Sequence, residues 1–240
     1  MKFFKKELAF TLAEVLITLM IIGVISAMTI PVLKKHTTQE EYISRVKKAY
    51  STIAQATKLI ETQHGEIKRW GKLTGSVGED ENSEENEENE SAPNGVTKAF
   101  EYYRERLNIV KSCTNGTAGC WTQTKTLSGS SYGNANNAKK SSIAFQTADG
   151  MYWNIFGQTD TNEYGVDKAT TDSLIVFTDT NGEKKPNTLG LDVFVFVVNP
   201  ERGVLPAGSD NNSTNCKDPK SSGIDCAARI IKTGKIDYDD

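Results

Sequence analysis

The chain has 240 residues, 37% of them hydrophobic and 25% charged, enough to bury one modest core with attachments. Its net charge of −3 is unevenly spread, because Glu79 to Glu90 holds eight acids in twelve residues and leaves about +5 on the rest. Neither value fits a dedicated nucleic-acid binder, whose basic surface dominates its composition.

In chain order, the first feature is an apolar segment. Val15 to Leu33 is nineteen residues without a charge; as a helix it spans about 28 Å at ~1.5 Å per residue, against a hydrocarbon core of about 30 Å. Gly23 and Pro31 weaken a water-exposed helix but are tolerated in membrane helices. A secretory signal peptide is the competing reading, although its apolar region is shorter, about 7–15 residues, with a small-residue cleavage site behind it. Lysines flank both ends, Lys2, Lys5 and Lys6 before and Lys34 and Lys35 after, so the positive-inside rule orients the segment only weakly. Glu14 stands near its start, where an ionised carboxylate costs up to about 3 kcal/mol if carried to the membrane centre.

After the span, Tyr42, Val46, Ala49, Ile53, Ala56 and Ile60 recur at steps of three and four, which predicts a helix with one buried stripe. With only Pro31 between the two patterns, one continuous helix is expected from about Thr11 to Gln63, ending at Gly65. The acidic run that follows reads as a solvated, flexible loop. A second helix is expected over Val96 to Cys113, with Val96, Phe100, Tyr103, Leu107 and Val110 on one face. Gly129 to Ser142 reads as polar linker.

Beyond it the pattern turns to strands. Ser142–Thr147 and Met151–Gly157 flank Ala148-Asp149-Gly150 as a hairpin, and Ser173–Thr178 and Leu191–Val198 flank a Gly- and Asn-rich connection. The expected fold class is α+β, a long helix covering the apolar face of a small antiparallel sheet. Ala227 to Ile231 adds a short apolar piece near the C-terminus.

Four cysteines, Cys113, Cys120, Cys216 and Cys226, all follow the apolar segment. Even number and short spacing favour disulfides in an oxidising compartment; of three connectivities the two local ones are preferred. That compartment puts the C-terminal part outside the cytoplasm. No C-x₂-C spacing or nearby His supports zinc.

Catalysis is poorly supported, and no enzyme activity or cofactor is expected. His36 and His64 belong to the long helix, so the strands have no imidazole to activate a nucleophile. Asp149, Asp172, Asp179 and Asp192 sit at turns, where Asp serves the backbone. Asp179 and Asn181 have a calcium-like alternation, but the loop is half the required length and lacks its bidentate Glu, so turn geometry is the preferred reading. Lys139-Lys140 and Lys184-Lys185 are too sparse for a nucleic-acid track, and no nucleic-acid partner is expected.

The specific signal is the stretch from Lys5 to Leu33. Lys5, Lys6, Ala9, Phe10, Thr11, Leu12 and Glu14 resemble the class III leader and helix of type IV prepilins and type II secretion pseudopilins: a basic leader ending in a small residue, then Phe, Thr-Leu, and Glu as the fifth mature residue. The family usually has Gly before the cut; Ala9 keeps the small side chain. "DTNGEKKPNTLGLDVF" and "CAARIIKTGKIDY" look like segments of bacterial pseudopilin-type proteins.

The resemblance implies a pilin-like fold and cleavage between Ala9 and Phe10 by a prepilin peptidase that also methylates the new amine. It divides the chain into a leader (1–9), a transmembrane and assembly helix (10–33), its amphipathic continuation (34–64), an acidic loop (65–95) and an extracytoplasmic head (96–240). In the filament the Phe10 amine meets Glu14 of an adjacent subunit, neutralising both charges away from water and setting axial register. The simpler alternative keeps Glu14 hydrated near the headgroups and favoured by the helix dipole. Other pilin or pseudopilin subunits, an inner-membrane platform protein and an assembly ATPase are the implied partners, and a single-pass inner-membrane protein is the implied location. The expected function is a structural, minor subunit of a secretion or pilus filament. Alternatives are a surface module for adhesion or DNA uptake, and a membrane-anchored domain with an uncut N-terminus.

Overall fold

A computed structural model of the chain describes residues 10–74, 95–113, 119–133, 142–210, 215–216 and 219–238, without the side chains of Val32, Lys34, Lys35 and His36. Two units are distinguished, Met1–Glu41 and Tyr42–Asp240. The helix α1 (Leu12–His64) belongs to both, and is the continuous helix that the sequence predicts. Gly65 ends it at φ 85°, donating its N–H to Glu61 O at 3.0 Å, a helix stop that a residue with a Cβ makes only under strain.

In the second unit the apolar stripe of α1 is Ile43, Val46, Ala49, Ile53, Ala56 and Ile60, all buried. Tyr42, expected in the stripe, is half-buried beside it. Thr57 joins the buried face because its hydroxyl is shared with Tyr103 Oη at 2.6 Å and also donates to Ile53 O at 2.8 Å. Burial and the loss of a hydrated phenolate push the Tyr103 pKa well up.

Among the described residues, six strands form one sheet in sequence order: β1 (Ile109–Cys113), β2 (Ile143–Thr147), β3 (Tyr152–Gln158), β4 (Ser173–Asp179), β5 (Val193–Asn199) and β6 (Gly203–Pro206). Every neighbouring pair is antiparallel. Side chains alternate between two cores. Phe145, Trp153, Ile155, Val176, Phe194 and Phe196 pack with the α1 stripe, whereas Phe156, Ile175, Phe177, Val193, Val195 and Val197 pack on the opposite face with Tyr164, Val166 and Ile224. The expected sheet had one covered face. Both are covered, which is why β4 and β5 are buried at every residue and read in sequence as unbroken apolar runs.

Three further expectations are corrected. The second helix, α2, covers only Gly95–Arg104; the chain then turns and Ile109–Cys113 becomes β1, paired to β2, with Val110 64% exposed at a register shift. The β-branched pair Ile109-Val110 favours this extended form. Residues 65–74 do not open a loop: Ile67, Trp70 and Leu73 are buried in the main core. Within the segment read as linker, Tyr132 packs against the second core, 6.0 Å from the Phe177 ring. The acidic run Glu79–Glu90 lies outside the described residues, between Thr74 and Gly95.

A third helix, α3 (Cys226–Thr233), buries Cys226, Ala227 and Ile230. The two sheet edges are guarded. Val204 O on β6 accepts from Tyr50 Oη at 3.4 Å and β1 is broken by its irregular register, both of which discourage edge-to-edge pairing.

Candidate functional site

Thr11 immediately precedes α1, and Glu14 is the third residue of the helix. The Thr11 backbone N–H and hydroxyl donate to Glu14 Oε2 at 2.8 and 2.7 Å, and the Glu14 N–H donates back to Thr11 Oγ1 at 3.3 Å. This is a reciprocal capping box, satisfying amides that the first turn leaves without helical partners. The pattern Thr-x-x-Glu before an apolar run marks this helix start in the sequence, beside the place of Thr11 in the leader motif. Phe10 is 85% exposed, and Ala9 lies outside the described residues.

From Leu12 to Pro31 the helix is long and apolar enough to cross a membrane, and none of that window is buried within the protein. Leu16, Ile17, Met20, Ile22, Ile25 and Met28 are all exposed. The hydroxyls of Thr18 and Thr29 turn back onto Val15 O and Ile25 O at 2.9 and 2.5 Å, so they ask nothing of the surrounding medium.

Each of the four aspartates accepts at least one backbone N–H, and Asp149 and Asp179 do so within their own turns. Asp149 accepts from Met151 at 3.4 Å, Asp172 from Thr74 at 3.1 Å, Asp179 from Asn181 at 3.2 Å, and Asp192 from Asn187 and Thr188 at 2.8 and 2.6 Å. Asp172 also holds the hydroxyls of Thr74 and Thr159, both at 2.7 Å, pinning residue 74 to the β3–β4 connection.

Asp179 and Asp192 are both fully buried. Asn181 Nδ2 donates to Asp192 Oδ2 at 3.0 Å, Thr122 donates to Asp179 Oδ2 at 3.1 Å, and the Asn187 amide can reach Asp179 Oδ2 at 3.2 Å and Lys184 O at 2.7 Å. Burial, then the charge of Asp192, pushes the Asp179 carboxyl up to about 8; burial also raises Asp192. Burial and the neighbouring Asp192 charge make Asp179 the member that holds a proton near neutrality. The turn with calcium-like spacing therefore spends its carboxylates on its own donors, and among the described residues no three His, Cys, Asp or Glu side chains gather to hold a metal.

Disulfides join Cys113 to Cys120 and Cys216 to Cys226, the two local pairings. Cys226 packs beneath Gly190, where an added Cβ would meet its Sγ at 3.0 Å, and Tyr238 Oη donates to Gly190 O at 2.5 Å. His64 stacks on Tyr102 with ring centroids 4.0 Å apart and faces Glu105 at 3.3 Å. Lys184 and Lys185 are exposed; Lys139 and Lys140 lie outside the described residues.

A family of unknown function, DUF6613, matches residues 32–234. The chain belongs to DUF6613. No curated protein matches it, and no solved structure does. The match to DUF6613 covers the second half of α1, the sheet and α3, and begins just beyond the apolar window Leu12–Pro31.

Proposed function

We propose that this DUF6613 protein is a structural subunit of a type II secretion or type IV pilus filament, a minor pilin or pseudopilin anchored in the bacterial inner membrane by α1. A prepilin peptidase removes residues 1–9 and methylates Phe10; the apolar helices then pack side by side with the heads outward. The implied partners are other subunits of this kind, a platform protein and an assembly ATPase. The reading involves no catalysis by the chain itself.

One observation carries it. A bare 20-residue apolar helix window carries an acid at its third residue, four after Phe10, and continues, as one helix, into the stripe that fills the main core. In a plain anchor that acid serves only the helix start, as the cap on Thr11; a filament also uses its charge. Two disulfides in the head fit an extracytoplasmic location. Glu14→Ala tests the reading: membrane insertion should persist while incorporation into filaments, followed by shearing and immunoblot, falls at least about tenfold, the equivalent of ~1.4 kcal/mol. Unchanged incorporation would remove Glu14 from assembly.

A further inference from the structure

Between α1, the turn after α2 and the β2–β3 hairpin runs a groove of about 420 Å³, lined by Thr52, Arg106, Leu107, Asn108, Ala148 and Asp149 among others. Arg106 is half-buried; its Nε is shut off from solvent and has no hydrogen-bond partner. Among the described residues its guanidinium enters no ion pair or hydrogen bond, and the half-buried Thr52 hydroxyl and the exposed Asn108 side chain share no hydrogen bond with another protein group. Asp149 does not serve Arg106, because it is held by Lys48 at 2.8 Å and by the Thr147 hydroxyl at 2.6 Å. Burial raises the Asp149 pKa, but those bonds outweigh it and keep the carboxyl below its ordinary range.

A guanidinium carries five N–H donors and no acceptor. When one side is dehydrated and no carboxylate answers it, its charge is poorly compensated and poorly screened. Lys48, Arg106 and Asp149 together carry one net positive charge. That balance suits a monoanion; a dianionic phosphate would sit beside the ionised Asp149 at a Coulombic cost.

We propose that this groove binds a glutamate side chain presented by a partner polypeptide. The terminal N–H groups of Arg106 grip the carboxylate as a fork, Thr52 and Asn108 supply further donors, and Leu107 and Ala148 cover the methylenes. The groove lies wholly within Tyr42–Asp240, and its binding is independent of whether the chain enters a filament.

The test is a titration of the full-length protein in detergent micelles, with ¹⁵N-labelled arginine, followed at the Arg106 Nε–H resonance. The probe is acetyl-Ala-Glu-Ala-amide, with acetyl-Ala-Gln-Ala-amide, sodium acetate and inorganic phosphate as separate arms at matched ionic strength. The Glu peptide should shift the resonance saturably and at least about tenfold more tightly than the other three. Arg106→Lys, which keeps the charge, should weaken the Glu peptide about tenfold, and Thr52→Val about threefold, with melting temperatures unchanged. Equal response to the Glu and Gln peptides, or full affinity in Arg106→Lys, overturns the site. Acetate binding as tightly as the peptide overturns the polypeptide as its source, and phosphate binding as tightly overturns the carboxylate preference.

Discussion

Thr11 closes on Glu14 through two donors, its backbone N–H at 2.8 Å and its hydroxyl at 2.7 Å, both to the same carboxylate oxygen. In a single chain, therefore, Glu14 already has work to do as a helix cap. In the proposed filament, an amine arriving from a neighbouring subunit would meet a carboxylate that is oriented in advance. The cap and the filament charge are different properties of one side chain and can be separated.

Glu14→Gln separates them. Gln at the third helical position also completes a capping box, but it has no charge to pair with an amine. Helix content in micelles, measured by circular dichroism, should match the wild type, while filament incorporation should fall as far as in Glu14→Ala. If Glu14→Gln assembles normally, the acid serves the helix start alone.

Gly157 lies in the middle of the sheet on β3, and a Cβ there would sit 1.7 Å from Leu73 O, in the segment that crosses this strand. Backbone cannot yield as a side chain tip does. Gly157→Ala should cost at least about 3 kcal/mol, whereas Gly203→Ala, with φ 77° but open space around it, should cost about 1 kcal/mol. Urea unfolding of the two variants measures the difference; equal losses would mean that the Leu73 crossing is absent.

The folded-state pKa of Asp179 lies at about 8, far above the usual carboxylate range, so the folded chain keeps a proton there that the unfolded chain releases near pH 4. The associated stability is complete below pH 4 and declines as pH rises toward 8. Asp179→Asn imitates the protonated acid and should flatten that decline, melting no lower than the wild type at pH 8. Asp192→Asn should destabilise at every pH, because it weakens the acceptor of the Asn187 and Thr188 N–H groups. A parallel pH dependence in wild type and Asp179→Asn would show that this carboxyl is ionised when folded.

Much of the fold was legible because its periods are strong. The 3.6-residue stripe of α1 and the short apolar runs of β2 to β5 are local side-chain patterns. What escaped depends on contacts distant in sequence. Ile109–Cys113 followed helical spacing from α2 until pairing with β2 drew it into the sheet, and β6 is too short and too Gly- and Pro-bounded to carry a pattern. Trp70 and Leu73 looked like the start of a polar loop because their acidic successors dominate the composition. At the candidate sites, the residue types at Phe10 and Glu14 were plain in the sequence. The Thr11 cap is legible in the pattern Thr-x-x-Glu, and Asp179 and Asp192 stand at the two ends of one β4–β5 connection, whereas the unanswered Arg106 arises only where α1, the turn after α2 and the β2–β3 hairpin meet.

The central claim is tested most directly by the intact mass of the N-terminal peptide from native membranes. A chain beginning at N-methylated Phe10, with Met1 to Ala9 removed, is the predicted result. A mature pool that retains Met1, or one cut after the apolar segment, would contradict it.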